Sequence, residues 1–263
     1  QGDPLDHLPL MDSPDERRNF VAQTKLSINA GHEWLGKQGF NLRAVLDVRA
    51  FPPELAEVWG NAKVNVAPFE KLVLLGMGGS DLWKRIRQEN YPETELFDSA
   101  SEKAVLEVCR RFWGGAKPRL LYPGSAPIPL QKLGRWAGWA SPSPLGMDIS
   151  PCFGPWFAYR AAFLVDAPLE CTKAFTANSP CDHCESKPCI QACPVGAVTH
   201  DQTIALDLCL PQRLANPQGC GVGCASRLAC PVGEKWRYPK EQIRYHGSRS
   251  LVSLQQRARP GAD

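Results

Sequence analysis

Apolar positions along the chain fall into short runs separated by Gly, Pro and charged residues, and their spacing predicts alternating strands and helices. Leu42–Val48 and Leu72–Leu75 are short apolar runs bounded by Gly and Pro, which predicts two strands. Ahead of them, Ser13-Pro14-Asp15-Glu16 predicts a helix start. Ser13 is the expected N-cap, Pro14 the first helical residue and Glu16 the closing member of a capping box. That helix is expected to run to Gly31 or Gly39. Ser80 or Asp81 is expected to cap a helix reaching Glu89. Asp98 opens another, with Val105, Leu106, Cys109 and Phe112 on one face. Arg119–Tyr122 predicts a strand and Leu130–Trp139 a helix whose stripe of Leu130, Leu133, Trp136 and Trp139 is core. Phe157–Val165 predicts a further strand. This alternation predicts an α/β layer up to about Asp166.

The pattern changes after Pro168. Residues 170–233 are rich in Cys, Pro, Gly and polar residues and contain few apolar runs. A segment of that kind cannot build a core from side chains alone and is expected to be held together by metal. From Lys235 onward seven Lys and Arg stand against Glu241 and Asp263, and one helix is expected over Lys240–Arg257. The expected division is a first domain over residues 1–168, a cysteine-rich module over 169–235 and a basic tail over 236–263. Over the whole chain of 263 residues, 43% are hydrophobic and 22% charged, enough for a real core. A formal net charge of +3 is too small to imply wholesale nucleic-acid binding. No apolar run approaches the ~18–20 residues that cross a bilayer.

Candidate chemistry is concentrated in the cysteines. There are 11, and their odd number excludes a fully paired set of intramolecular disulfides. Metal ligation is the first reading, and a reducing cytoplasm follows from it. Cys181-x2-Cys184-x4-Cys189-x3-Cys193-Pro194 forms one group. Cys209 and then Cys220-x3-Cys224-x5-Cys230-Pro231 form a second. In the bacterial two-cluster ferredoxin run, three closely spaced thiolates wrap one cubane and the fourth is carried to the partner cubane. Applied here, Cys181, Cys184, Cys189 and Cys230 hold one [4Fe-4S] cluster, and Cys193, Cys209, Cys220 and Cys224 hold the other. The competing reading is a zinc site from Cys181, His183, Cys184 and Cys189. Two clusters of about −2 each would take the holo charge from +3 to roughly −1.

Two stretches resemble known proteins. Residues 170–233 resemble the dicluster ferredoxin domain of epoxyqueuosine reductases and reductive dehalogenases, where a lone cysteine also precedes the second group, as Cys209 does here. Pro144-Leu145-Gly146-Met147-Asp148-Ile149-Ser150-Pro151-Cys152-Phe153-Gly154-Pro155-Trp156-Phe157-Ala158-Tyr159-Arg160 looks like the cobalamin-contacting core of the same superfamily, nearest to its cblC-type cobalamin-processing branch. The resemblance implies an α+β chain: a nitroreductase-like α/β cobalamin-binding domain followed by a bacterial-type two-cluster ferredoxin module. It implies two [4Fe-4S] clusters and a cobalamin as cofactors, and reduction at cobalt by single electrons. The implied corrinoid contacts are Leu145, Gly146, Met147, Ser150, Cys152, Phe153, Gly154 and Trp156, with base-off cobalt. A low-potential ferredoxin or flavodoxin is the implied electron donor. The alternatives are an electron-transfer protein without corrinoid and a cobalamin chaperone without turnover.

Departures from that family sharpen the expectations. The segment matching the proton-donor loop of epoxyqueuosine reductases, Tyr122-Pro123-Gly124-Ser125-Ala126-Pro127, has no carboxylate. Cys152 stands where the cblC-type protein has an Arg that helps bind glutathione, which argues against glutathione-dependent dealkylation. Two readings of Cys152 are open: a thiol facing the corrinoid, and so a candidate catalytic residue, or a buried small hydrophobe. Cys109 is expected in the core and Cys171 as a spare thiol. Gly76-Met77-Gly78-Gly79-Ser80 reads as a strand–helix turn or as a phosphate loop without the P-loop lysine. His32, His183, His200 and His246 are isolated, and only His183 lies inside the cluster run. The basic tail is a solvated face or a dock for an acidic electron donor or RNA.

Overall fold

β6 (Phe157–Val165) is the strand on which the architecture is built. In the computed structural model, which describes residues 14–61, 64–66, 68–173 and 178–258, it pairs on one side with β2 (Lys71–Gly78) and on the other with β3 (Arg119–Tyr122). β1 (Leu42–Asp47) completes the order β1-β2-β6-β3, and every neighbouring pair is antiparallel. The fold is therefore mixed α+β. The expectation of an α/β layer read from alternation is corrected in this respect: the connections return each strand against its neighbour rather than crossing over in parallel.

Helices cover both faces, which is why the central strands read as continuous apolar runs rather than alternating ones. Leu72 and Leu74 of β2 face one cluster with Leu46, Trp59, Leu133, Trp139 and Leu164, beneath α2 (Pro53–Asn61) and α5 (Leu130–Trp136). Val73, Leu75 and Met77 face the other with Leu35, Val108, Trp113 and Phe163, beneath α1 (Pro14–Lys37) and α4 (Leu96–Phe112). Complete burial of each large aliphatic side chain is worth ~1.5–3 kcal/mol.

Most expected elements are present, with shifted ends. The Ser13 cap lies outside the described residues. α3 spans Asp81–Ile86, and α4 begins at Leu96, two residues before Asp98. Leu106 is 60% exposed, because the buried stripe of α4 runs through Ala104, Val105, Val108 and Cys109 and leaves Leu106 on the outer face. β2 continues to Gly78, so the glycine-rich segment is largely strand. Its glycines make room for aromatics: a Cβ on Gly78 would lie 2.3 Å from the Phe153 ring, and one on Gly79 would lie 2.9 Å from the Trp236 ring.

Two features position the site. The β2–β6 register passes from Leu75↔Ala161 to Gly76↔Tyr159, which leaves Arg160 as the extra residue of a β-bulge. The bulge turns Arg160 to the same face as Ala161, where its guanidinium lies 4.0 Å from the centre of the Phe97 ring. The second feature is α9 (Lys240–Arg257), which has the predicted bounds but is not a detached tail. Tyr245 donates its hydroxyl to the Glu93 carbonyl at 3.0 Å and packs 5.3 Å from Trp83, and Ile243 joins the α1–α4 core.

Candidate functional site

Among its described residues the cysteine-rich segment carries three short helices, α6 (Pro188–Gln191), α7 (Leu206–Ala215) and α8 (Ala225–Ala229). Cys189 rides on α6 and Cys209 on α7; Cys193 follows α6, and Cys224 and Cys230 bracket α8. α6 packs against α8, which carries Cys230 back to the first group. The thiols fall into two foursomes by mutual electrostatic influence. Cys230 feels Cys181, Cys184 and Cys189, while Cys209 feels Cys193, Cys220 and Cys224.

Burial, followed by the other thiols of its set, pushes Cys209 up from its ordinary pKa. Cys181, Cys189 and Cys230 are also raised, with burial again the largest cause. Four crowded thiols disfavour one another's ionisation, and bound metal cations reverse that balance. For Cys193, burial also pushes upward, but the backbone N–H groups of Val195, Ala197 and Val198 and the Ser226 hydroxyl outweigh it, so the net shift is downward. The Ala197 N–H donates to Cys193 Sγ at 3.2 Å. The same design recurs at Cys230, where the Val232 N–H supports the thiolate. Both sit in Cys-Pro-Val-Gly turns that end in a left-handed glycine, Gly196 at φ 64° and Gly233 at φ 68°.

Among the described residues, no three His, Cys, Asp or Glu side chains converge tightly enough to hold a single metal ion. His183 is exposed. The second foursome instead lines a cavity of about 330 Å³, with Leu145, Met147, Trp156, Ile204 and Arg227 on the remaining walls. Thiol donors spaced around a volume rather than a point suit a multi-iron cluster.

The stretch 145–156 is used mainly for packing against this segment. Leu145 and Met147 pack with Cys189, Val198, Cys193 and Ile204, and a Cβ on Gly146 would lie 2.8 Å from Ile204. Ser150 and Gly154 exchange backbone bonds of 2.9 and 2.8 Å, closing a tight turn. The Ser150 hydroxyl accepts from the Cys152 and Phe153 N–H groups, both at 3.3 Å. Cys152 projects from the tip of that turn and is exposed, lining neither this cavity nor the cleft described next. It is thus not the buried hydrophobe that was one of its two readings. Phe153 turns back inward, 5.0 Å from Trp236. Gly154 at φ 58° lies against Val232, and Gly233 lies against Phe153. Trp156 is fully buried, edge-on to Tyr238 at 5.5 Å and beneath the Arg227 guanidinium at 4.7 Å. Of the eight residues of this stretch implied as corrinoid contacts, Leu145, Met147 and Trp156 line cavities.

A solvent-open cleft of about 300 Å³ adjoins the cysteine cavity and shares Met147, Arg227 and His246 with it. Its other walls include Tyr122, Leu130, Asp148, Phe157, Tyr159, Arg160 and Tyr238. Asp148 accepts from Arg135 Nη2 at 2.7 Å and from the Tyr159 hydroxyl at 2.9 Å. Burial raises the Tyr122 and Tyr159 hydroxyls, so both remain protonated at neutral pH. Burial, then Arg160, Arg227 and Arg249, pushes His246 down to about 3. Buried polar atoms without partners among the described residues gather here: Arg160 Nε, Arg227 Nε, the Tyr238 hydroxyl and His246 Nε2. Such orphans mark a place built to receive a ligand or ordered water. Sequence reasoning missed Arg160, Tyr122 and His246 as site residues. The signal for Arg160 was present, as a cation in the middle of the apolar strand FAYRAAFLV.

No protein-family model matches the sequence, and no curated protein matches it. Solved structures do share its fold. Epoxyqueuosine reductase from Streptococcus thermophilus superposes with a TM-score of 0.56 at 12% identity, covering 82% of this chain and 67% of that one. An epoxyqueuosine reductase bound to an epoxyqueuosine-modified tRNA-Tyr stem loop gives 0.55 at 11% identity, covering 82% and 68%. A catabolic reductive dehalogenase in complex with 3-bromo-4-hydroxybenzoic acid gives 0.52 at 16% identity, covering 88% of this chain and 34% of that one. The fold therefore agrees with the resemblance drawn from the sequence, and the chain spans about a third of the dehalogenase. Among the described residues no helix is long and apolar enough to cross a membrane.

Proposed function

We propose that this chain is an iron–sulfur reductase of two parts, a nitroreductase-like domain over residues 1–168 and a two-cluster ferredoxin-like module over 169–235. Cys181, Cys184, Cys189 and Cys230 hold one [4Fe-4S] cluster, and Cys193, Cys209, Cys220 and Cys224 hold the second. The observation that carries this reading is the crossover: Cys230 joins the first foursome and Cys193 the second, each against its order in the sequence. That exchange is the connectivity of a two-cluster ferredoxin.

The cleft supports a reductase rather than a free electron carrier. It shares Met147, Arg227 and His246 with the cavity that the second foursome lines, so a ligand bound there lies next to that cavity. Cobalamin is the proposed acceptor, bordered by Met147, Phe157, Ala158 and Tyr159; when bound it supplies a cobalt that takes single electrons and turns nucleophilic. The cleft's solvent opening lets a large ligand extend beyond its walls. Leu130, Phe157 and Ala158 give it an apolar lining. Tyr122 occupies the segment that lacks a carboxylate and holds a proton at its hydroxyl, which makes it the proposed proton donor. Arg227 places a cation between cavity and cleft, donating to the Pro155 carbonyl at 2.7 Å and feeling Cys224. A low-potential ferredoxin or flavodoxin is the proposed electron donor, in the cytoplasm. A second reading, direct reduction of a small ligand without corrinoid, is favoured by the cleft's volume of about 300 Å³, the small end of the range for ligand pockets.

Cysteine replacement tests the assignment. Cys209→Ala and Cys184→Ala should each lose about half of the iron, from different clusters with distinguishable reduced EPR signals. Identical losses from both variants would overturn the two-foursome reading. Cobalamin added to wild-type protein should be retained on gel filtration with a base-off spectrum; no retention would shift the reading to direct reduction.

A further inference from the structure

Helix α8 fills the stretch between Cys224 and Cys230, and Arg227 stands at its centre. The guanidinium lies 4.7 Å from the centre of the Trp156 ring and 5.2 Å from that of Tyr238, both buried. Its Nη2 donates to the Pro155 carbonyl at 2.7 Å, and its Nε is buried without a partner among the described residues. The ionisable groups that act on it most are Tyr238, Cys224 and Arg160, so the charge is not met by a carboxylate. Arg227 lines the same cavity as Cys193, Cys209, Cys220 and Cys224. Two aromatic rings and a backbone carbonyl thus hold a permanent cation in place beside four thiols.

The two foursomes differ in the charges around them. Beside the first, Lys187 donates to the Cys181 carbonyl at 2.9 Å and acts on Cys181 and Cys189. Asp182 and Glu185 stand in the same loop, both exposed, and offset it. Beside the second, Arg213 joins Arg227 on the cavity wall, fastened to the Gly221 carbonyl at 3.2 Å and the Ser250 hydroxyl at 3.1 Å. A four-thiolate cubane passes from about −2 to about −3 on taking up one electron, so a fixed cation nearby favours the reduced form. Partial burial strengthens that effect, because water screens it less. We propose that Arg227 is the residue that sets the reduction potential of the second foursome's cluster, holding it above that of the first. The electron comes from a low-potential one-electron donor; no bond breaks, and Arg227 keeps its protons throughout. Arg227 acts through the cluster and is a positioning residue. The proposal rests on the iron–sulfur reading of the eight cysteines and adds which cluster is easier to reduce and what makes it so.

The test is a reductive titration of the full chain, prepared anaerobically and followed by EPR, with iron content recorded for every sample. Cys209→Ala and Cys184→Ala assign each reduced signal to its foursome. In wild type the second foursome's signal should appear at the higher potential. Arg227→Met keeps an aliphatic chain between the rings and removes the charge. It should lower the second potential by about 59 mV or more, a ten-fold change in the ratio of reduced to oxidised cluster, and leave the first unchanged within two-fold. Arg227→Lys should recover more than half of that shift. Arg237→Met removes another cation near Trp156, at 5.8 Å, but one paired with Glu234 at 3.4 Å, and should stay within two-fold of wild type. A second signal that appears with or below the first in wild type would overturn the proposal without any variant. So would a wild-type potential in Arg227→Met with full iron, or an equal fall in Arg237→Met. If Arg227→Met sheds the second cluster, Arg227→Gln takes its place with the same expected fall. Wild-type protein lacking the second signal would count against the iron–sulfur reading. Two signals whose potentials ignore Arg227 would count against this proposal alone.

Discussion

Replacing Gly154 with alanine isolates the contact that ties the 150–154 turn to the second Cys-Pro-Val-Gly turn. A Cβ there would lie 1.9 Å from the Val232 carbonyl oxygen and 2.6 Å from its carbonyl carbon. Both are backbone atoms, so no side-chain rotation relieves the contact and the two turns must separate. The left-handed backbone at φ 58° adds ~1–2 kcal/mol for any L side chain. Overpacking of a close contact adds ~1–3 kcal/mol. The sum, about 2–5 kcal/mol, corresponds to a fall in melting midpoint of roughly 4–20 °C for a chain of this size. Gly115→Ala is the control, because φ there is 72° and nothing lies within 4 Å of the added Cβ. It carries only the ~1–2 kcal/mol backbone cost. Calorimetric melting of wild type and both variants reads the difference directly. Because Cys230 lies two residues before Val232, Gly154→Ala should also lower iron retention, whereas Gly115→Ala should not. A Gly154→Ala protein that melts with Gly115→Ala and keeps its iron would refute the reasoning.

Arg135→Ala should destabilise by about 3 kcal/mol, since it strips the ion pair from a buried Asp148; Asp148→Asn in the same chain should recover part of it, measured by urea titration. Iodoacetamide at pH 8 should label the exposed Cys152 and Cys171 first and leave Cys109 unmodified, because burial pushes that thiol up to about 12; early labelling of Cys109 on a peptide map would contradict its placement. Burial, then Arg43, holds His32 below its ordinary pKa, so the unfolded chain takes up that proton first as the pH falls. Its contribution to stability is level above about pH 6.5 and declines below it, and His32→Gln should show a shallower loss between pH 6.5 and 5 than wild type.

The strands were legible because both faces of the sheet are covered, which writes β2 as an almost unbroken apolar run and β6 as one interrupted only near Arg160. Their direction was not, since apolar runs carry no information on whether a connection crosses over or returns. The short helices α6, α7 and α8 escaped because each is shorter than the window in which a 3.6-residue period declares itself, and Pro211 interrupts α7. The two cysteine groups were legible from spacing, and the crossover now proposed came from the two-cluster ferredoxin pattern. In the stretch 145–156, glycines and aromatics are demanded as much by packing as by any ligand, so sequence could not tell the two uses apart. Gly154, Gly146 and Phe153 meet protein, while Met147 and Trp156 face cavities. Arg160 was hidden by the bulge: a regular strand would have given it the face of Ala162, and only the register shift places it beside Phe97.

The central claim is that eight cysteines form two cluster sites, and elemental analysis of protein purified anaerobically from iron-replete cells tests it most directly. Two cubanes require about eight iron and eight acid-labile sulfide per chain, with a broad absorption near the blue end of the visible spectrum that bleaches on reduction. A preparation that holds zinc in their place, with no labile sulfide and no bleaching, would contradict the account.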